Sequence, residues 1–479
     1  MRPIIKILIL CALVRNCVPI TLSLESSDNL DEPLVNSHDY FPGCAPEETL
    51  DLSDMGLRYI RPNMLHSKTI HSVNLKDNDI KEIPHHTFKD VFSLTCLDIS
   101  RNNIPIEKLM DFGHQKLKAL DLAHQHNENP NREWSERLRY DVTELATRER
   151  ETLKTTTFSN FPNLQYLDLS GNKFYRLPQN FSAVVPRLSH LYLTNRDLTD
   201  LSDHIFSVLP ISLKSLHLEK NNIMILEFPP HVAIEALFLD HNPLISERHY
   251  LSSSSIKVLS LSNCTLHKIQ NGMEQQRYLY NNTYMYGGNW IPKVTNLPGE
   301  VPNLEILDLS WNRLHNIDDV LALMHYNNLS RLSLSHNNFE DFPIGGIFPR
   351  LEILSLSYNK IGKILNQVEG FPALKVLNLR GNQIQNIQQD AFSNMILETL
   401  DLSYNRLKSL PAEWLHSLHT LQYLDLRHNE FTEISDMFGQ LSLHYNTNLR
   451  DVYVKSSALQ KIDPRELEYL PPSSVVHVC

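Results

Sequence analysis

The side chains that could do catalytic or metal chemistry do not assemble into a set. His114, His124 and His126 fall close together, but no cysteine or carboxylate stands at a spacing that would complete a metal site. Serine, histidine and aspartate are abundant, yet no nucleophile motif surrounds any serine. No enzyme activity, metal or cofactor is therefore expected. The polar residue that does recur at a fixed place is asparagine. In Leu397–Leu407, written L-E-T-L-D-L-S-Y-N-R-L, Leu397, Leu400, Leu402 and Leu407 hold positions one, four, six and eleven, and Asn405 holds position nine. An amide with two donors and an acceptor can bond turn backbone that would otherwise be buried unpaired. The chemistry written into this chain is structural hydrogen bonding, plus whatever the variable positions bind.

Stepping along the chain, the same eleven-residue frame recurs with its fourth position at Val73, Leu97, Leu120, Leu167, Leu191, Leu216, Leu237, Leu259, Leu307, Leu332, Leu354, Leu377, Leu400 and Leu424. Apolar residues two apart mark a short strand, and one such strand cannot bury its own inner face, so the unit is stable only when stacked on its neighbours. Phe88, Phe206 and Phe392 recur on the return segment. The frame is degenerate at Leu50 and Leu52, and it decays after Val452 and Val454, where Ser457 stands in place of Asn, to a last strand at Val476 and Val478. About fifteen clear and three degenerate repeats result, read as one elongated domain over 44–479.

Two gaps interrupt the spacing. Between Leu120 and Leu167 the segment 125–160 is dense in both charge signs, with Trp134, Leu138, Val142 and Leu145 at helical steps. It reads as a helical insertion replacing one repeat, with a disordered charged loop as the alternative. Between Leu259 and Leu307 a tyrosine-rich degenerate repeat over 270–302 is expected, with Tyr284, Tyr286, Asn289 and Ile291 on frame positions, which would keep the solenoid continuous.

These residues resemble the extracellular leucine-rich repeat superfamily, in particular the ectodomains of Toll-type receptors and chaoptin-like adhesion proteins, over roughly 44–479. The resemblance implies an α/β leucine-rich repeat solenoid, a horseshoe with a parallel sheet on its concave face and irregular or short helical segments outside. Family members often carry caps with four clustered cysteines, whereas Cys44 and Cys479 each stand alone. No signalling domain or membrane helix follows, so the resemblance does not extend to signalling.

Arg2 and Lys6 flank an apolar run from Ile4 to Val14, which reads as a signal peptide over 1–23 followed by a flexible polar leader over 24–43. No later stretch reaches eighteen uninterrupted apolar residues. The expected product is secreted, or is the extracellular portion of a membrane receptor. A net charge of −11 argues against nucleic acid as a partner. Past the leader remain Cys44, Cys96, Cys264 and Cys479. Cys264 takes a ladder position and is expected as a buried free thiol. Cys96, at position three and so facing outward, could reach Cys44, which would leave Cys479 for a covalent homodimer or a C-terminal cap. Sequons at Asn180, Asn263, Asn281 and Asn328 fit export.

Binding chemistry belongs to the outward positions three, five and seven. Most repeats carry Asp then Ser there, as at Asp168 and Ser170 or Asp401 and Ser403. The exceptions cluster at Tyr166, His190, Tyr192, His217, Phe238, Val258 and Met285, which adjacent strands would gather into one ligand-binding patch. The alternative is that this patch packs under a glycan or an insertion. A weaker candidate is the eighth column, with Trp311, His336, Tyr358, Tyr404 and His428. The charged strip at Arg380, Arg427 and Lys455 reads as solvated surface. The expected function is recognition of a protein or microbial ligand in a Toll-like innate immune role. The alternatives are chaoptin-like adhesion or matrix contact, and inhibition of a secreted enzyme.

Overall fold

The computed structural model describes residues 48–478 apart from 126–159, 267–300, 316–325, 439–447, 456–474 and scattered shorter gaps. Where the repeat reads as one elongated domain, the chain divides into two compact units, Ser37–Ile256 and Lys257–Cys479.

Each unit is a stack of parallel strands, most of them only three residues long, because only frame positions three to five lie in the ladder. In the first unit the register runs Leu50↔Val73↔Leu97↔Leu120↔Leu167↔Leu191↔Leu216↔Leu237. In the second it runs Leu259↔Leu307↔Leu332↔Leu354↔Leu377↔Leu400↔Leu424↔Val452↔Val476. The leucines at positions one, four and six form the core of each unit and are almost wholly excluded from solvent. On the return side, buried aromatics such as Phe88, Phe112 and Phe161 meet edge to face. Short helices, Phe181–Val184 and Asp203–Val208 in the first unit and Ile434–Phe438 in the second, lie on return segments.

The pairing spans both gaps in the frame. Leu120 pairs directly with Leu167; the helical reading of 125–160 falls outside the described residues apart from its edges. Leu259 likewise pairs directly with Leu307. The reading of 270–302 as a degenerate repeat falls outside the described residues apart from its last two positions. The tyrosines themselves lie outside the described residues, as do the leader and signal segments.

The asparagine column supplies the second half of the fold. Asn405 Nδ2 donates to the carbonyls of Leu379, Leu402 and Ser403 at 2.9, 3.0 and 3.2 Å, while its Oδ1 accepts the Ile384 amide at 3.0 Å. One side chain thus ties its own turn to the coil before it. Asn102, Asn221, Asn312 and Asn382 repeat the pattern. Besides Cys264, two described substitutions occupy the column where the frame departs from asparagine. Gln125 reproduces the bonds, donating to Ile99 and accepting from Ile104. Arg196 is buried at the same position with its Nε donating to the Asn172 carbonyl, and burial pulls its guanidinium down to about 9. Just before the column, position eight is left-handed in every repeat from Asp54 to His428, including Trp311 and Tyr358. Bulky residues rarely accept such a φ, so the frame imposes it and the buried bonds around it sustain it.

Asn405→Ala strands several buried carbonyls and an amide at once. It is expected to cost about 2–4 kcal/mol, read by denaturant unfolding, because each unsatisfied buried group costs roughly 1–3 kcal/mol. A loss under about 1 kcal/mol would show that water replaces the amide.

Candidate functional site

In-register strands set like frame positions side by side, so the sequence patch becomes two rows of rings. At position three Tyr166 stacks on His190, with centroids 4.4 Å apart and planes at 22°. At position five Tyr192, His217 and Phe238 form a continuous stack, with centroids at 4.1 and 4.2 Å. The strand spacing of roughly 4.7–4.9 Å is near the contact distance of flat rings, so rings in one column cover each other's faces. This explains why the patch is less open than the sequence implies. Tyr166, His190 and Tyr192 are half-buried, but His217 and Phe238 are only 4% and 5% exposed. Val258 lies in the other unit, paired with Ile306, and Met285 lies outside the described residues. Five of the seven expected residues are therefore brought together.

Beneath this patch is a hydrogen-bonded trio that sequence reasoning missed. His217 Nε2 is 3.0 Å from Ser215 Oγ, and its Nδ1 is 3.1 Å from Glu219 Oε1. The signal was available as Ser-x-His-x-Glu, which period-two geometry places on one face. With both ring faces covered by Tyr192 and Phe238, the trio orients and locks the imidazole within packed surroundings. Glu219 Oε2 is buried without a hydrogen-bond partner. Next to it, His190 is held down to about 4, first by burial and then by His217 and Lys214, so its ring is neutral at physiological pH.

The Asp-x-Ser columns are not the open surface the sequence suggests. Each carboxylate turns back to accept the amide two residues on, as Asp168 does from Ser170 at 2.7 Å and Asp401 from Ser403 at 2.8 Å. Carboxylates on adjacent strands then crowd. Burial raises Asp121 well above the ordinary range, with Asp168 and Asp98 adding to it. Asp168 is raised to about 6 and Asp401 to about 7, in both cases chiefly by burial. Asp425, one rung from Asp401, is paired with the guanidinium of Arg427.

The eighth column forms a third row, in the second unit. Trp311, His336 and Tyr358 stack with centroids at 3.6 and 4.4 Å, and Tyr404 stacks on His428 at 4.0 Å. Gly381 falls between the two groups because Tyr358 occupies its space: a Cβ there would lie 2.5 Å from Tyr358 Cδ1. Arg380 fills the interval, donating from Nε to the Tyr358 hydroxyl at 2.9 Å with its guanidinium 4.3 Å from the Tyr404 ring centre.

Cys96 is disulfide-bonded, with its partner outside the described residues, as are Cys44 and Cys479. It is buried rather than outward-facing, since position three is covered in its part of the stack, as at Ser72 and Ala119. Cys264 is a buried thiol with Sγ 3.5 Å from the Ser262 carbonyl. Asn180 and Asn263 are exposed and Asn281 lies outside the described residues. The Asn328 amide donates to the Pro302 carbonyl at 3.1 Å. Among the described residues His114 and His124 join no metal-binding group, and His126 is not described.

The stacked parallel strands, the leucine core and the asparagine column define a leucine-rich repeat solenoid. The chain belongs to the leucine-rich repeat superfamily: models described as leucine rich repeat match 327–384, 349–407, 372–431, 396–445 and 163–184, and a BspA type leucine rich repeat region matches 35–129. It is 25% identical over 351 residues to podocan-like protein 1 of Mus musculus, covering 70% of this chain and 56% of that protein. It is 27% identical to lumican of Homo sapiens, covering 63% and 84%, and 30% identical to chaoptin of Drosophila melanogaster, covering 40% and 15%. The chain thus spans about half the length of the first relatives it matches. Among solved structures it is similar to the leucine-rich repeat domain of APL1B, at 20% identity over 90% of this chain and 88% of that one, with a TM-score of 0.39. A leucine-rich repeat protein of Leptospira interrogans aligns at 20% identity over 90% and 95%, with a TM-score of 0.49. No helix among the described residues is long and apolar enough to cross a membrane.

A carboxyl whose folded pKa is raised stabilises the fold while protonated, so its contribution is lost as pH rises through the folded value, here about 7 for Asp401. The thermal midpoint of the second unit is expected to fall between pH 5 and pH 8. Asp401→Asn, which keeps an acceptor for the Ser403 amide, should flatten that fall by a few degrees. An unchanged slope in the variant would place the titration elsewhere.

Proposed function

We propose that this chain is an extracellular recognition protein that binds a protein or microbial ligand in a Toll-like immune role through the strand-face rows of its first unit. The observation that carries this reading is the pair of stacked rows, Tyr166–His190 and Tyr192–His217–Phe238, set in register on consecutive strands. Aromatic side chains prepaid in entropy by stacking are efficient anchors for a partner, and repeat proteins bind through the variable positions of such faces. His217 and Phe238 serve as the buried footing, while Tyr166, His190 and Tyr192 offer the contact edges. The disulfide at Cys96 supports an oxidising compartment, which fits the apolar leader. In this reading the partner of Cys96 is Cys44, and Cys479 serves covalent dimerisation.

A second reading is adhesion or matrix contact. It is favoured by the likeness to chaoptin and lumican.

The test uses secreted full-length protein and a His190→Ala, Tyr192→Ala variant, both assayed against immobilised bacterial and fungal cell-wall fractions and by sedimentation. Recognition through the patch predicts saturable binding to one fraction that weakens at least about tenfold in the variant, a loss of roughly 1.4 kcal/mol or more. Binding that survives both substitutions would remove the patch from the function. Self-association abolished by the same substitutions, without binding to any fraction, would favour adhesion.

A further inference from the structure

The eighth-column row of the second unit is not used by the reading above and has its own logic. Trp311, His336, Tyr358, Arg380, Tyr404 and His428 occupy six consecutive repeats without a break in the stack, since Arg380 spans the place that Gly381 leaves empty. The row sits at the left-handed turn that follows each strand, outside the packed columns, and its side chains point away from the core. Trp311 is 58% exposed, Tyr404 43% and Tyr358 37%, the most open aromatic group among the described residues of the unit. We propose that this row is a binding track for an extended anionic polysaccharide, separate from the strand-face patch.

Three features select that ligand. First, the row repeats. The open rings at Trp311, Tyr358 and Tyr404 recur every second strand, about 9.5 Å apart from the strand spacing, which is close to the length of a disaccharide in an extended chain. A folded protein partner calls instead for a compact patch with a dry centre. Second, the polar groups are mostly donors: the indole N–H, the tyrosine hydroxyls, the imidazoles and the guanidinium suit hydroxyl, carboxylate and sulfate oxygens. Indole and phenol edges also give apolar contact to the C–H faces of sugars. Third, the row lies in a positive field on a chain of net charge −11. His428 is held below the ordinary histidine range by burial and then by Lys455, Arg427 and Arg380 together. Arg427 is paired with Asp425, and Arg380, which also donates to Ser403 Oγ at 3.2 Å and lies near the Asp401 carboxyl, joins the exposed Lys455 in giving the track its positive charge.

The rung before Trp311 carries Asn263, which is exposed and stands in a sequon, so the protein's own glycan would lie beside the indole. The assay therefore includes Asn263→Gln, which separates an external polysaccharide from that internal source.

Full-length protein is passed over immobilised heparin, uncharged dextran, poly-glutamate and double-stranded RNA across a sodium chloride series. The track predicts salt-dependent binding to heparin that exceeds binding to the other three, with equal or stronger binding by Asn263→Gln. Trp311→Ala should weaken heparin binding about tenfold. Arg380→Gln and Lys455→Gln should each reduce the salt slope by about one. His190→Ala, on the other unit, should leave it unchanged, so failure of the strand-face reading and failure of this one are read separately. Thermal midpoints accompany each variant, and the exposed Lys455 and Trp311 are replaceable without loss of fold. Binding to dextran, equal binding to poly-glutamate or RNA, absence of heparin binding in both glycosylation forms, or indifference to Trp311→Ala and Lys455→Gln would each overturn the proposal.

Discussion

A chain wound into stacked coils must turn twice per repeat against a dry core, and each turn brings backbone polar groups where water cannot reach them. The asparagine column resolves this constraint. Asn405 bonds three carbonyls and one amide, half within its own turn and half to the coil before, and its equivalents likewise tie their own turn to the preceding coil. The leucines supply the apolar area, but area is indifferent to register. The amide is directional, and it locks the register and the left-handed residue beside it. Gln125 keeps the bonding with one more methylene, while Arg196 fills the position with a buried guanidinium that donates to a different carbonyl, that of Asn172.

Strand spacing is the second constraint, and it acts on whatever side chains the frame leaves variable. Flat rings fit it: they stack within each column and cover each other, as in Tyr192–His217–Phe238 and Trp311–His336–Tyr358. Carboxylates fit it poorly, because burial disfavours their charged form: it is the main cause that raises Asp121, Asp168 and Asp401, with neighbouring aspartates adding to it at Asp121 and Asp401. The same spacing therefore yields rigid aromatic rows in some columns and acid-stabilised rungs in others. Arg380 shows how locally this is solved: a missing ring at Gly381 is replaced by a guanidinium of similar flatness from the neighbouring column.

Membership of the leucine-rich repeat superfamily follows from the scaffold, while the proposed recognition rests on departures from it. The two units carry different departures. The first gathers its rings on the strand face, half-buried and backed by the Ser215–His217–Glu219 trio. The second places its rings at the turn after the strand, where they are open and accompanied by positive charge.

The amino-acid sequence alone determined the repeat, the inward leucines and the ladder, because all of these depend on a short period that local spacing displays. It also placed Cys264 in the buried column and Tyr166, His190, Tyr192, His217 and Phe238 side by side, since register follows from equal frame positions. What it could not decide was which frames are neighbours and which faces stay open. Leu259 meets Leu307 directly although a tyrosine-rich near-copy of the frame lies between them in sequence, because pairing is a competition among strands that pattern alone does not rank. Exposure was likewise a tertiary outcome. The outward Asp and His residues of positions three to seven read as surface, yet ring stacking and backbone capping bury many of them, whereas the eighth column, the weaker candidate in the sequence, keeps Trp311, Tyr358 and Tyr404 open.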